Sequence, residues 1–292
     1  MHHNVASAWR TGFAAGPMHV ELVVDDSMRD AVEGLVDGYC GPSDAAVRYD
    51  IRMILQRRDG RPEGLPRMPR FVSHDGVSTD RSELWDARVT WLEASATAIF
   101  ALRDTRHFEA EMALAWEARL QRLWLASAVR TLLALAAPRA DALLLHAAAL
   151  VAPSGRAWLF AGPSEAGKTT MTRRLAGWQV LADDAVLVFR EGSDWRVAGT
   201  PLHGREHLPR SAASAPLEGL AFLQKGAAVA RLTQLGRAEA FSEVLARILY
   251  FAEPDERVLS LAEDLANSTG CYHLASSLEH DIGPLLASAG PC

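Results

Sequence analysis

The chain has 292 residues, 49% hydrophobic and 23% charged, an ordinary globular balance for one large domain or two smaller ones. Its formal net charge of −6, from 30 basic and 36 acidic residues, offers no basic field for nucleic acid. The most apolar region, Leu123 to Val151, is broken by Arg130, Pro138, Arg139 and Asp141, so no bilayer span and no membrane partner are expected.

The N-terminal MHHNVASAWR carries no signal-peptide pattern. Cys40, Cys271 and Cys292 are odd in number and widely spaced, so neither a disulfide framework nor a metal site follows from them. A soluble protein of the reducing cytoplasm is the expectation. Residues 1–105 read as a small α+β domain. Val20 to Val24 is a strand, Ser27 to Val36 a short helix ending near Gly38, and Arg48 to Leu55 a strand. Arg57 to Arg70 is rich in Arg, Pro and Gly and reads as a loop, its arginines (Arg57, Arg58, Arg61, Arg67, Arg70) solvated. Phe71 to Ser73, Val89 to Leu92 and Thr97 to Leu102 are further strands, and His74-Asp75 between them reads as a turn. His107 to Ala137 repeats apolar residues at helical steps, with Trp116 and Trp124 as core anchors. Residues 106–140 are therefore expected to be a helix bridging two domains and ending at Pro138.

Residues 141–292 form the second domain. Leu143 to Val151 is a buried strand carrying one histidine, His146, and Arg156 to Phe160 is the next strand. The stretch that follows, AGPSEAGKTT (Ala161 to Thr170), fits the phosphate-loop template G-x-x-x-x-G-K-[ST] through Gly162, Gly167, Lys168 and Thr169. A strand before it and a helix after it are the setting this template needs. Pro163, Ser164, Glu165, Ala166 and Thr170 complete the expected cradle, whose backbone N–H groups turn toward a phosphate. Lys168 would reach the β- and γ-phosphates of ATP, and the Thr169 hydroxyl would ligate Mg²⁺. Only two of the 30 basic residues are lysines, Lys168 and Lys225, leaving 30 − 2 = 28 arginines. Arginine replaces lysine readily on a solvated surface but not in a tight phosphate loop, so one lysine stands where arginine would not serve.

Gln179 to Ala182 is a strand ending in Asp183-Asp184, a place for carboxylates that hold a phosphate-bound metal or accept a hydroxyl proton. Adjacent strand residues point to opposite faces, so both serve one site only at a strand end or bulge. Ala185 to Phe189 and Trp195 to Ala198 form a hairpin around Glu191 to Asp194. The loop GTPLHG follows, with His203 free to face a ligand. Pro216 to Leu223 and Ala228 to Leu232 are strands about a Lys225-Gly226 turn. Ala238 to Phe251 and Glu256 to Asn267 are helices, and Cys271 to Leu274 is a last strand.

Leu145-His146-Ala147, then GPSEAGKTT, then Val180 to Asp184 resemble the catalytic domain of HPr kinase/phosphorylase. GTPLHG, APLEGLAFLQKG and RLTQLGRAEAF resemble the shorter HPr-kinase-related proteins, and the resemblance covers about 143–250. It implies a phosphoenolpyruvate-carboxykinase-like mixed sheet, partly barrel-like, with the phosphate loop on it. It also implies ATP- and Mg²⁺-dependent phosphoryl transfer to a serine or other hydroxyl of a peptide, precursor peptide or small protein. In this picture Asp183 and Asp184 divide metal binding and hydroxyl activation between them. His146, Lys168 and His203 would be catalytic, and Arg205 or Arg210 would steady the transferring charge. Glu165 sits inside the loop and the family's later glutamate signature is absent, with His203 and Glu206 in that part of the chain. Reverse transfer to inorganic phosphate is therefore not expected. Proteins of that fold assemble as hexamers, which raises self-association. Rival expectations are a small-molecule hydroxyl kinase of the same fold, a carboxykinase-like enzyme, and a non-catalytic ATP-binding regulator.

Overall fold

A computed structural model describes residues 8–39, 51–58, 71–72, 77–82, 85–93, 96–102, 107–114, 118–162, 167–202, 204, 210–224, 229–249, 256–275 and 281–289. The chain is a mixed α+β protein of two compact units: Met1–Arg139 with Tyr250–Glu253, and Ala140–Leu249 with Pro254–Cys292. No helix of the described residues is long and apolar enough to cross a membrane.

The first unit opens with a hairpin, β1 (Ala8–Ala15) and β2 (Met18–Asp25), paired Ala15 to Met18. Gly16 at φ 54 makes the two-residue turn possible. Asp25 accepts from the Ser27 amide (2.9 Å) and starts a 3-10 turn that leads into α1 (Arg29–Val36). Ala31, Val32, Leu35 and Val36 form its buried stripe. The chain crosses over to β3 (Ile51–Arg58), parallel to β2. A meander follows: β4 (Phe71–Val72), β5 (Val77–Ser82), β6 (Trp85–Glu93), β7 (Ala96–Leu102) and β8 (His107–Leu114). The sheet runs β1-β2-β3-β8-β7-β6-β5-β4, with β8 parallel to β3. α2 (Ala118–Ala136) buries Leu125, Val129, Leu132, Leu133 and Ala136.

The helix expected over His107 to Ala137 is thus corrected: its first part, His107–Leu114, is a strand. Its amides pair along β3 and β7, so the backbone is satisfied by the sheet rather than by helix bonds. Residues 107–139 belong to the first unit rather than to a bridge. Arg61, Arg67, Arg70, His74, Asp75, Lys225, Cys40 and Cys292 lie outside the described residues; Cys271 is buried.

The second unit contains β9 (Ala142–Val151), β10 (Ala157–Ala161), α3 (Lys168–Arg174), β11 (Gln179–Ala182), β12 (Ala185–Glu191) and β13 (Asp194–Gly199). Then come β14 (Ser214–Gln224), β15 (Arg231–Gln234), α4 (Arg237–Leu245), α5 (Glu256–Ser268), β16 (Gly270–Ala275) and α6 (Gly283–Ser288). The sheet runs β10-β9-β12-β13-β14-β16-β15, and β14 also pairs with β10, in parallel. That second pairing closes a ring of β10, β9, β12, β13 and β14. β9 and β10 are almost wholly buried, as their nearly continuous apolar sequence requires.

Beside β9 and β10, a core of Trp158, Phe160, Met171, Leu175, Tyr272 and Leu286 binds α3 and α6 to the sheet. The Trp158 and Tyr272 rings meet at 5.7 Å. Gly219 permits this: a Cβ there would stand 2.7 Å from the Trp158 ring. The hairpin turn between β12 and β13 holds Gly192 at φ 65. The expected helix Ala238 to Phe251 is also corrected. α4 stops at Leu245, and the next residues lie along β9, with a bridge from Ile248 to Leu145. Ile248 and Leu249 continue the apolar rhythm of the helix, but the β9 edge takes the Arg247 carbonyl and the Leu249 amide instead.

Candidate functional site

Strand register brings Gly162, His146, Asp183 and Asp184 together. Ala161, the last residue of β10, pairs with Ala147 of β9. One residue back along β9 is His146, which pairs with Ala185, the first residue of β12. Ala182, the last residue of β11, pairs with Ala149. Asp183 and Asp184 therefore occupy a two-residue break between two strands that both line β9. This is the strand-end position that lets adjacent carboxylates serve one place. Paired strand residues are about 5 Å apart at Cα, so the loop entrance, His146 and the acidic pair share one neighbourhood.

His146 is the one half-exposed residue inside β9 between buried neighbours. Its Nδ1 lies 3.4 Å from Asp184 Oδ1. Asp183 is buried, and its Oδ1 accepts the Gly204 amide at 3.0 Å. A Cβ on Gly204 would come within 2.9 Å of Asp183 Oδ2, so only glycine lets this backbone close over the carboxylate. The loop before and after Gly204 is stitched across the same break. Thr200 Oγ1 donates to the Ala185 carbonyl (2.7 Å), and the Ser211 amide donates to that of Leu181 (3.0 Å).

Gly167 caps α3 at φ 106, a left-handed conformation that suits glycine. Lys168 is buried, and its Nζ donates to the Gly162 carbonyl at 2.8 Å, so the lysine reaches back from the start of α3 to the end of β10. Burial pushes its pKa below the ordinary lysine value. The charge of Asp184 opposes that shift and the charge of Arg247 adds to it. Asp184 and Arg247 are thus both within electrostatic reach of the lysine.

Arg247 is the residue that sequence reasoning missed. Its carbonyl accepts the His146 amide (2.8 Å), and the Leu249 amide donates to Leu144 (2.8 Å). The arginine is therefore anchored on the opposite edge of β9 from Ala185, at the site histidine itself. Its place at a helix C-terminus is the signal available in the sequence, and that signal points only to the helix dipole.

A family model of the SynChlorMet cassette protein ScmC matches residues 111–250. That stretch spans His146, Gly162, Lys168, Asp183, Asp184 and Arg247, so every residue of the neighbourhood lies where the chain is similar to that family. No curated protein matches the chain. Pro163, Ser164, Glu165, Ala166, His203, Arg205 and Glu206 lie outside the described residues. Thr169 and Thr170 lie in the first turn of α3. Arg210 donates to the Pro201 carbonyl of its own loop.

Among the described residues no three His, Cys, Asp or Glu side chains converge as a metal cage. Mg²⁺ is ordinarily held by one or two carboxylates together with phosphate oxygens and water. An adjacent Asp183-Asp184 pair, beside a lysine and following a Lys-Thr sequence, is a donor set of that kind.

Proposed function

We propose that this chain is an ATP- and Mg²⁺-dependent kinase of the HPr-kinase-related type, its second unit a phosphoenolpyruvate-carboxykinase-like domain. It would transfer the γ-phosphoryl group to a serine or other hydroxyl of a peptide or small protein. The observation that carries this reading is the convergence of Gly162, Lys168, His146 and the Asp183-Asp184 pair through the register of β9 with β10, β11 and β12. The ring closure by β10 and β14 is compatible with the partly barrel-like sheet.

The loop amides from Gly162 to Thr170 and the Lys168 ammonium hold the polyphosphate. Lys168 exchanges the Gly162 carbonyl for a phosphate oxygen, and the added negative charge favours its protonated form. Thr169 and Asp184 would hold Mg²⁺, which when bound supplies neutralising charge to the phosphates. Asp184 suits this role because its charge already acts on Lys168. Asp183, fixed by the Gly204 amide, takes the proton of the acceptor hydroxyl. The hydroxyl oxygen bonds to the γ-phosphorus, the bond to the bridging oxygen breaks, and ADP departs with that electron pair. Most of the acceleration comes from positioning and charge, as is general for phosphoryl transfer.

The test is incubation of the protein with γ-labelled MgATP and two acceptor pools, one of peptides and one of small alcohols. Label in the peptide pool, lost in Asp183→Asn, is the expected result. Label confined to small alcohols would mean a small-molecule kinase. Binding without any turnover, unaffected in Asp183→Asn, would mean a regulator instead.

A further inference from the structure

We propose that Glu243 is a positioning residue: its carboxylate, backed by His273, aims the Arg247 guanidinium at the phosphates held by the Lys168 loop. This inference rests on the nucleotide reading above and assigns Arg247 and its support to that site.

Three observations carry it. Arg247 is fixed through its backbone to His146, so its side chain starts from the site and not from a distant surface. Its Nη2 lies 3.1 Å from Glu243 Oε2, one helical turn back on α4. The other carboxylate oxygen, Glu243 Oε1, lies 3.5 Å from His273 Nε2 on β16. The same imidazole lies 3.7 Å from Glu239 Oε1 through its Nδ1. An ordinary i,i+4 pair on a helix surface joins two long, mobile side chains and holds neither in place. Here the carboxylate is gripped from both sides by residues of different origin, Arg247 just past the end of α4 and His273 on β16. The three inner side chains, Arg247, Glu243 and His273, are 22%, 27% and 20% exposed, so water competes less for each contact.

The chemistry explains why such a support is needed. Arg247 and Lys168 are two cations close enough to repel each other, one of them buried. Left to itself a guanidinium on a flexible stem would swing away from the ammonium into water. Glu243 takes one edge of the guanidinium and so fixes the plane in which its other N–H groups lie. A planar guanidinium held in this way suits the oxygens of a phosphate. Two cations on one polyphosphate also replace mutual repulsion by shared attraction.

The experiment is calorimetric titration of MgATP into four proteins: wild type, Glu243→Gln, Arg247→Met and the double variant, with a thermal midpoint for each. Gln keeps the size of Glu and one hydrogen-bond acceptor, so the fold should survive. E243Q is expected to weaken MgATP about tenfold at an unchanged midpoint, within the usual range of coupling between contacting residues. R247M is expected to weaken it at least as much, and the double variant no further than R247M alone. Affinity in E243Q equal to wild type, or a double variant weakened by the product of the two single effects, would overturn the positioning role. MgATP that fails to bind folded wild-type protein would overturn the nucleotide reading itself, and this inference with it.

Discussion

The two units of this chain use sheets of the same size in different ways. The first unit is an open run of eight strands in which each strand keeps one partner along each edge. In the second, β9 changes partners along its length, β12 for residues 142–146 and β11 for 149–151, while β10 lies along 147–151 and β14 returns to β10. A strand that changes partners midway creates strand ends beside its own middle. Loops and side chains from distant parts of the sequence can then meet there without leaving the sheet. His146 stands at that changeover. In the open sheet the corresponding polar feature is Glu21 of β2, buried between Arg10 and Arg52 on the flanking strands. That triad is satisfied from within and holds neighbouring strands in register. The contrast separates a polar group that fastens a sheet from polar groups gathered where a sheet is interrupted.

The largest test of this contrast is at the acidic pair. Asp183→Asn and Asp184→Asn should each lower phosphoryl transfer by about 10²–10⁴-fold, measured as ADP release, while the protein stays folded. Gly204→Ala should behave as a milder version. A methyl 2.9 Å from Asp183 Oδ2 forces the loop to shift, so turnover should fall and the thermal midpoint should drop, by about 1–3 kcal/mol of stability. In the core, Gly219→Ala pushes into the Trp158 ring and should also cost about 1–3 kcal/mol, read by denaturant unfolding, while leaving the acidic pair intact. The smallest effect is expected in the first unit. Glu21→Gln should cost about 1 kcal/mol, since Arg10 and Arg52 remain well exposed, and should leave MgATP affinity unchanged.

Lys168 sharpens the same comparison through pH. Burial lowers its folded-state pKa, so the unfolded chain binds that proton more tightly than the folded one. The charged lysine therefore opposes folding below its folded-state value, and the penalty fades as pH rises toward the ordinary lysine range. Lys168→Met should be no less stable than wild type at neutral pH and should lack this alkaline gain, measured by thermal melts across pH.

Much of the second unit was legible in the sequence because its strands are largely apolar runs bounded by turn residues. β9, β10, β12, β13, β14 and β16 each fall on a stretch whose composition announces a buried strand. His146 was legible as a lone polar residue in an apolar run, and Gly162, Gly167 and Lys168 stood out by their spacing. What stayed hidden depends on partners far away in the chain. His107–Leu114 has helical periodicity but is claimed by β3 and β7. Arg247 looks like an ordinary helix-end cation, and only the pairing of residues 247–249 with β9 brings it to His146. Gly204 has no local signature, because its need for glycine comes from a carboxylate 21 residues earlier.

The central claim is that the loop from Gly162 to Thr170 holds the polyphosphate of a nucleotide through Lys168. Calorimetric titration of MgATP into wild-type protein and Lys168→Met tests it most directly. The account predicts saturable one-site binding to wild type and a loss of about 100-fold or more in the variant, as expected when a buried charged contact to phosphate is removed. Equal binding by both proteins, or none by folded wild type, would contradict it.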